Sequence, residues 1–253
     1  MQYNTSNSLW PLYTSFSMFL LLLTFYYYLK TTSALFDISY ILLMINSKFW
    51  FGDLIRESFL KGTQNFLMQS SLKFGMIFFI VSEFFFFISF FWSYFHFMFM
   101  QSGEVGMEWP PKGVYAINCL SVPMLNSFLL LSSGVSLTVS HNMLLFEKKE
   151  FKFLLLMTAI LGVLFSYCQY WEYKMLDFLW SDSYYGSIFF LGTGFHGFHV
   201  IMGSLILLTI WFRSLYFQIL TDSMMFELGA WYWHFVDVIW MILFIEFYWW
   251  SKH

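Results

Sequence analysis

Glu83 lies in the middle of the run Met76-Ile77-Phe78-Phe79-Ile80-Val81-Ser82-Glu83-Phe84-Phe85-Phe86-Phe87, with no cation within a helical turn. A charged carboxyl at the centre of a bilayer is costly, about 2.5–3.5 kcal/mol for Asp on insertion scales. Such a group can exchange protons and react with carbodiimides, or it can serve as a neutral acid hydrogen-bonded to a neighbouring helix. The histidines form a second set. His196 and His199 stand three apart on one helical face, and His234 and Asp237 repeat that spacing. His96 and His141 fall near the ends of apolar segments. Two His on one face of one helix cannot both be axial ligands of one haem, and no matching pair stands on a second helix. Interhelical polar contacts are therefore the expected use of His96, His141, Glu172, His196, His199, His234 and Asp237.

The third set is Asp53, Arg56, Glu57 and Lys61, just beyond Trp50. Arg and Lys at headgroup depth bind phosphate, Arg in a bidentate manner. These five residues form a candidate phospholipid site. Cys119 and Cys168 are isolated, with no CxxC or Cys/His cluster, so a metal site is not expected.

These groups need elements to position them, and composition says which. Of 253 residues, 59% are hydrophobic and only 11% charged, against roughly 25% charged in soluble domains. That excludes a soluble enzyme, a disordered chain and a nucleic-acid binder, which would need a basic stripe. Seven apolar segments approach or exceed the roughly 20 residues that span a bilayer: 12–29, 33–51, 70–100, 121–145, 151–176, 184–217 and 227–250. Their continuous apolar character favours helices over barrel strands. The expected fold is an all-α polytopic membrane protein, a single membrane domain over 1–253, with helices 1–2 and a lipid-contacting loop in 1–69 and a five-helix bundle in 70–253.

With the N-terminus inside, the inner connections hold Lys48, Arg56, Lys61, Lys73, Lys148, Lys149, Lys152 and Arg213, and the outer ones Lys30, Lys112, Lys174 and Lys252. The positive-inside rule favours that orientation. Small residues at four-residue spacing, Ser132, Ser136 and Ser140, and Gly162 with Ser166, mark faces where helices can approach closely. Gly186, Gly192, Gly194, Gly197 and Gly203 crowd the sixth segment. The 36 Phe against two Arg and four Ala suggest AT-rich codons and an organelle genome.

In chain order, Trp10-Pro11-Leu12, Asp53-Leu54-Ile55-Arg56-Glu57, Gly75 through Glu83 and Phe90 through His96 resemble motifs of the cytochrome c oxidase subunit III family. So do Trp109-Pro110-Pro111 with Gly113, Val122-Pro123-Met124-Leu125-Asn126, and Gln169 with Glu172-Tyr173. Gly194 through Val200, Trp231 through Val238, and Tyr248-Trp249-Trp250 complete the series. The resemblance covers nearly the whole chain. It implies seven helices with helices 1–2 set apart from helices 3–7 by a V-shaped, lipid-filled cleft. It implies an accessory core subunit of cytochrome c oxidase in the mitochondrial inner membrane, with the N-terminus on the matrix side. Haem a, haem a3 and copper would belong to partner subunits, with none in this chain. Subunits I and II, nuclear-encoded accessory subunits, a respiratory supercomplex and phospholipids (cardiolipin, phosphatidylethanolamine or phosphatidylglycerol) are the implied partners. Glu83 would be the family's carbodiimide-reactive carboxyl, and no residue would be catalytic. The chain departs from the family at Gly52, Gln64, Asn142 and Glu246. The first two remove cations from the lipid segment, leaving Arg56 as its expected anchor. Glu246 is expected to pair with a partner subunit.

Overall fold

The computed structural model describes residues 8–31, 35–61, 66–100, 108–115, 117–216 and 223–252, with 58–61 and 252 described by backbone only. Seven α-helices follow one another: α1 (Trp10–Thr31), α2 (Leu35–Lys61), α3 (Phe66–Phe99), α4 (Val122–Leu145), α5 (Phe151–Met175), α6 (Tyr184–Leu215) and α7 (Met224–Leu243). A π-helical segment, Phe244–Trp249, extends α7. All seven helices are long and apolar enough to cross a membrane. No strand occurs among the described residues.

Several boundaries differ from the sequence expectation, those of α2 and α3 most. Hydrophobicity fades at Gly52, yet α2 continues to Lys61. One Gly costs a helix about 1 kcal/mol relative to Ala, which the helix formers Leu54, Arg56 and Glu57 readily offset. Arg56 and Glu57 therefore sit on the last turns of a helix, not in a loop. At about 1.5 Å per residue, α3 is roughly 51 Å long, more than the roughly 30 Å of hydrocarbon.

The chain divides into two compact units, residues 1–74 and 75–253. In the first, α1 and α2 form an antiparallel hairpin. Trp10 Nε1 donates to Asp53 Oδ2 at 2.6 Å, Thr24 and Ser39 hydroxyls bond at 2.6 Å, and Trp10 stacks on Phe49. Ser17 is the buried residue of α1, while Leu12, Phe16, Phe19 and Leu22 point outward. A helix apolar on its exposed faces suits lipid rather than water as its solvent.

In the second unit, α4 to α7 pack closely around Trp233, which is fully buried. Its indole N–H donates to Ser133 Oγ of α4 at 2.9 Å. Its ring lies against Gly162 of α5 and Gly203 of α6. A Cβ on Gly162 would run into Trp233 Cη2 and come 2.6 Å from Ser204 Oγ, and one on Gly203 would come 2.8 Å from Trp233 Cε3. Glycine is required at both positions because the ring fills the space of a side chain. Two members of the expected serine row of α4 meet α5: the Ser136 and Thr158 hydroxyls bond at 3.1 Å, and Ser140 donates to the Phe151 carbonyl at 2.9 Å. Ser132 faces outward, whereas Ser133, Gly134, Leu137 and Ser140 are buried. Helix α3 is held differently, through bulky rings. Phe87, Phe91 and Tyr94 are its buried residues, Phe86 meets Phe195 edge-on at 5.0 Å, and Phe97 stacks on Tyr184 at 4.5 Å.

Gly203→Ala is expected to destabilise the assembled protein by about 1–3 kcal/mol, the cost of overpacking. Gly197→Ala, which meets nothing within 4 Å, is expected to be neutral or slightly stabilising. Thermal denaturation of the two variants side by side checks both.

Candidate functional site

Position 83 projects from α3 toward α6. His199 Nε2 lies 3.1 Å from Glu83 Oε2, and His199 Nδ1 lies 2.6 Å from the carbonyl oxygen of Phe195. A carbonyl can only accept, so Nδ1 carries a hydrogen. One further proton then lies between Nε2 and Oε2, either as Glu83 O–H donating to Nε2 or as an imidazolium donating to a carboxylate. Both forms are neutral overall. The His199 ring is enclosed by Phe87 at 5.2 Å and Tyr232 at 6.4 Å. The cation absent from Glu83's own helix is thus supplied, when needed, by the next helix but two.

A second polar centre joins α4, α5 and the π-helical segment. Tyr248 donates to Glu172 Oε1 at 2.7 Å, and Asn126 Nδ2 donates to Gln169 Oε1 at 3.3 Å. Nearby, the Tyr94 hydroxyl donates to the Glu246 carbonyl and accepts from Trp109 Nε1, while Tyr185 donates to the Phe247 carbonyl. The π-helical segment shifts the register of carbonyls that an α-helix would bond internally, and the buried tyrosines satisfy two of them. Glu246 itself is 6% exposed within this chain. That burial in its own bundle, rather than a free surface carboxylate, is what the structure gives for a partner contact there.

His234 and Asp237 approach at 3.7 Å on one face of α7, with Asp237 Oδ2 against Gly134 of α4. His196 is buried between Phe165 and Trp240, and neither of its ring nitrogens has a hydrogen-bond partner among the described residues. His141 stacks on Phe226 at 5.5 Å, with Nε2 likewise unpartnered among them. His96 lies in the last turn of α3, edge-on to Phe97. So Glu83, His199, Glu172 and Asp237 make polar contacts, whereas His196 and His141 are held by ring packing. Among the described residues no group of three His, Cys, Asp or Glu side chains comes together as a metal site.

In the first unit a pocket of about 360 Å³ is lined by Trp10, Tyr13, Trp50, Asp53, Leu54 and Glu57, with Ser8 and Leu9 at its edge. Arg56 does not line this pocket; it is largely exposed, with Nη1 3.8 Å from Asp53 Oδ1. The side chain of Lys61 and residue Gln64 lie outside the described residues. Trp50, Asp53 and Glu57 of this lining belong to the expected set, whereas Trp10, Tyr13 and the Trp10–Asp53 bond were not read from the sequence. The pairing of residues 43 apart has no local signature, although Trp before Pro at a helix start is a visible one.

A family model described as cytochrome c oxidase subunit III matches residues 3–252. The chain is similar to curated proteins named cytochrome c oxidase subunit 3. That of Rhipicephalus sanguineus is 43% identical over 245 residues, 95% of each chain. That of Loxodonta africana is 43% identical over 249 residues, 96% of this chain and 94% of its own. That of Myxine glutinosa is 44% identical over 248 residues, with the same coverage of 96% and 94%.

The Glu83–His199 pair gives a double-mutant prediction. His199→Leu leaves the carboxyl without its partner and is expected to cost about 3–5 kcal/mol if the pair is ionised, and about 1–3 if it is a neutral hydrogen bond. Glu83→Leu combined with His199→Leu is expected to recover much of that loss. Thermal denaturation of the single and double variants reads the coupling.

Proposed function

Because the chain belongs to the cytochrome c oxidase subunit III family, we propose that it is the accessory, non-redox core subunit of that oxidase, stabilising subunit I and holding phospholipid. Membership makes it a multi-pass membrane subunit of an oxidoreductase complex, assembled with other oxidase subunits. The finer reading is that it resides in the mitochondrial inner membrane with its N-terminus on the matrix side. Subunits I and II, which hold haem a, haem a3 and copper, and nuclear-encoded subunits are its partners.

The observation that supports a positioning role is the closure of the Glu83–His199 pair. Nδ1 is committed to the Phe195 carbonyl and Nε2 to Glu83. A histidine bound on both sides orients a carboxyl and locks α3 to α6. It does not hand protons onward without breaking one of those bonds. Glu83 in this reading anchors helices and neighbouring lipid, not pumped protons.

The lipid reading rests on the pocket beside Trp10, Tyr13 and Trp50. Indole and phenol rings favour the membrane interface, and the exposed Arg56, one turn on from Asp53, offers a guanidinium to a phosphate. Asp53 is fixed by Trp10, so it holds Arg56 on that side of the helix. Cardiolipin, phosphatidylethanolamine and phosphatidylglycerol share the phosphate that this arrangement would take.

Two measurements check this reading in the intact oxidase. Glu83→Gln is expected to keep the proton-to-electron ratio of the parent enzyme; complete loss of pumping at normal electron transfer would refute the positioning role. Arg56→Ala is expected to lower the phospholipid retained after detergent purification. A map of the complex without a phosphate in hydrogen-bonding reach of Arg56 would remove the lipid assignment.

A further inference from the structure

Where α4 begins and α5 ends, a cleft of about 270 Å³ opens between the segment around residues 117–123 and that around 172–178. Asn118, Ser121 and Asp177 are exposed around it, while Glu172, which also lines it, is 4% exposed. Glu172 is therefore the deep carboxyl of a cleft that starts at the end of the bundle.

Its two oxygens differ. Oε1 accepts from Tyr248 at 2.7 Å, whereas Oε2 is buried with no hydrogen-bond partner among the described residues. Two more atoms of the same centre share that condition, Asn126 Oδ1 and Gln169 Nε2. Gln169 accepts from Asn126 and stands three residues before Glu172 on the same face of α5. The centre thus presents two acceptors and one donor that protein atoms do not satisfy. A water molecule offers two donors and one acceptor, and buried waters typically make about three hydrogen bonds to such groups.

The titratable groups facing Glu172 are Tyr248 from the π-helical segment, Tyr173 and Cys168 from α5 and Tyr185 from α6. From α4 the facing polar group is the neutral Asn126. No cationic side chain among the described residues bonds to Glu172, so the carboxyl has no fixed counter-ion. We propose that Glu172 is a proton-exchange site, reached by water through this cleft from the membrane face at which α4 begins. Its ligand class is water and hydronium. In the exchange, the O–H bond at Glu172 Oε2 breaks, its proton forms a bond to a water oxygen, and a carboxylate and a hydronium ion result. The reverse step restores the acid. Tyr248 keeps its bond to Oε1 in both states. This site is separate from Glu83, which is closed by His199 and lies on another helix.

The test uses the intact purified oxidase and infrared spectroscopy. Subtracting the spectrum of Glu172→Gln from that of the parent defines the Glu172 carboxyl band. That band is expected to fall reversibly, with a matching rise in carboxylate absorption, as pH is raised, and to shift within seconds of transfer to D2O. Ser121→Phe, which narrows the mouth without touching Glu172, is expected to slow the D2O shift to minutes or longer. If Glu172→Gln does not assemble, Tyr248→Phe identifies the band by moving its frequency through loss of the bond to Oε1. A Glu172 band that neither responds to pH nor shifts in D2O over hours would overturn the proposal. So would a shift whose rate Ser121→Phe leaves unchanged.

Discussion

The indole of Trp233 sets how closely four helices can stand. Burying a tryptophan is favourable only if its N–H finds an acceptor and its ring finds a slot. Ser133 supplies the acceptor from α4, and the missing side chains of Gly162 and Gly203 supply the slot on α5 and α6. In lipid there is little hydrophobic gain from helix association, so close packing and buried hydrogen bonds must hold the bundle. One residue does both across three neighbours. The other buried polar contacts extend the same pattern along α7: Trp240 Nε1 donates to Ser127, and Tyr248 donates to Glu172. The span Met224–Trp249, α7 with its π-helical extension, is the most buried of the seven.

Around that frame, α3 is attached by a different chemistry. Its small-residue content is low and its aromatic content high, so it leans on rings and on two long-range polar bonds, Glu83 to His199 and Tyr94 to the Glu246 carbonyl. Many of the 36 phenylalanines that codon bias would explain are on this helix; Phe87 and Phe91 are buried against the bundle, while Phe74, Phe78 and Phe85 point outward. A carboxyl facing a histidine between such rings is held in one geometry. That geometry fixes α3 against α6.

Seven crossings were legible because apolar length is a local property of the sequence. Glu83 was legible as a costly group in an apolar run, and the His196–His199 spacing was legible as one helical face. The partner of Glu83 was not, because it lies 116 residues away and no periodicity links α3 to α6. The same spacing that placed His196 and His199 together could not tell that one would bond a carboxyl and the other would lie between Phe165 and Trp240. Ser132, Ser136 and Ser140 were read as the packing row of α4; Ser136 and Ser140 do meet α5, whereas Ser132 faces outward and its neighbour Ser133 lies under the Trp233 indole. Small residues mark where helices can approach, but the side chain that fills the approach comes from elsewhere. The continuation of α2 past Gly52 was hidden for a related reason: hydropathy reports the membrane boundary, not the end of a helix.

If the Trp233 ring is what sets the helix spacing, the effect of adding a methyl at Gly162 must depend on that ring. The decisive measurement is the thermal stability of the intact complex carrying Gly162→Ala in two backgrounds, the parent and Trp233→Phe. The Cβ at position 162 would collide with Cη2 and Cζ2 of the indole, atoms that phenylalanine lacks, and would also come 2.6 Å from Ser204 Oγ, so both backgrounds carry Ser204→Ala as well. Gly162→Ala is therefore predicted to lower the melting temperature in the parent and to leave it unchanged or raise it in the Trp233→Phe background. An equal loss in both backgrounds would show that the glycine answers to something other than the tryptophan, and would contradict the account.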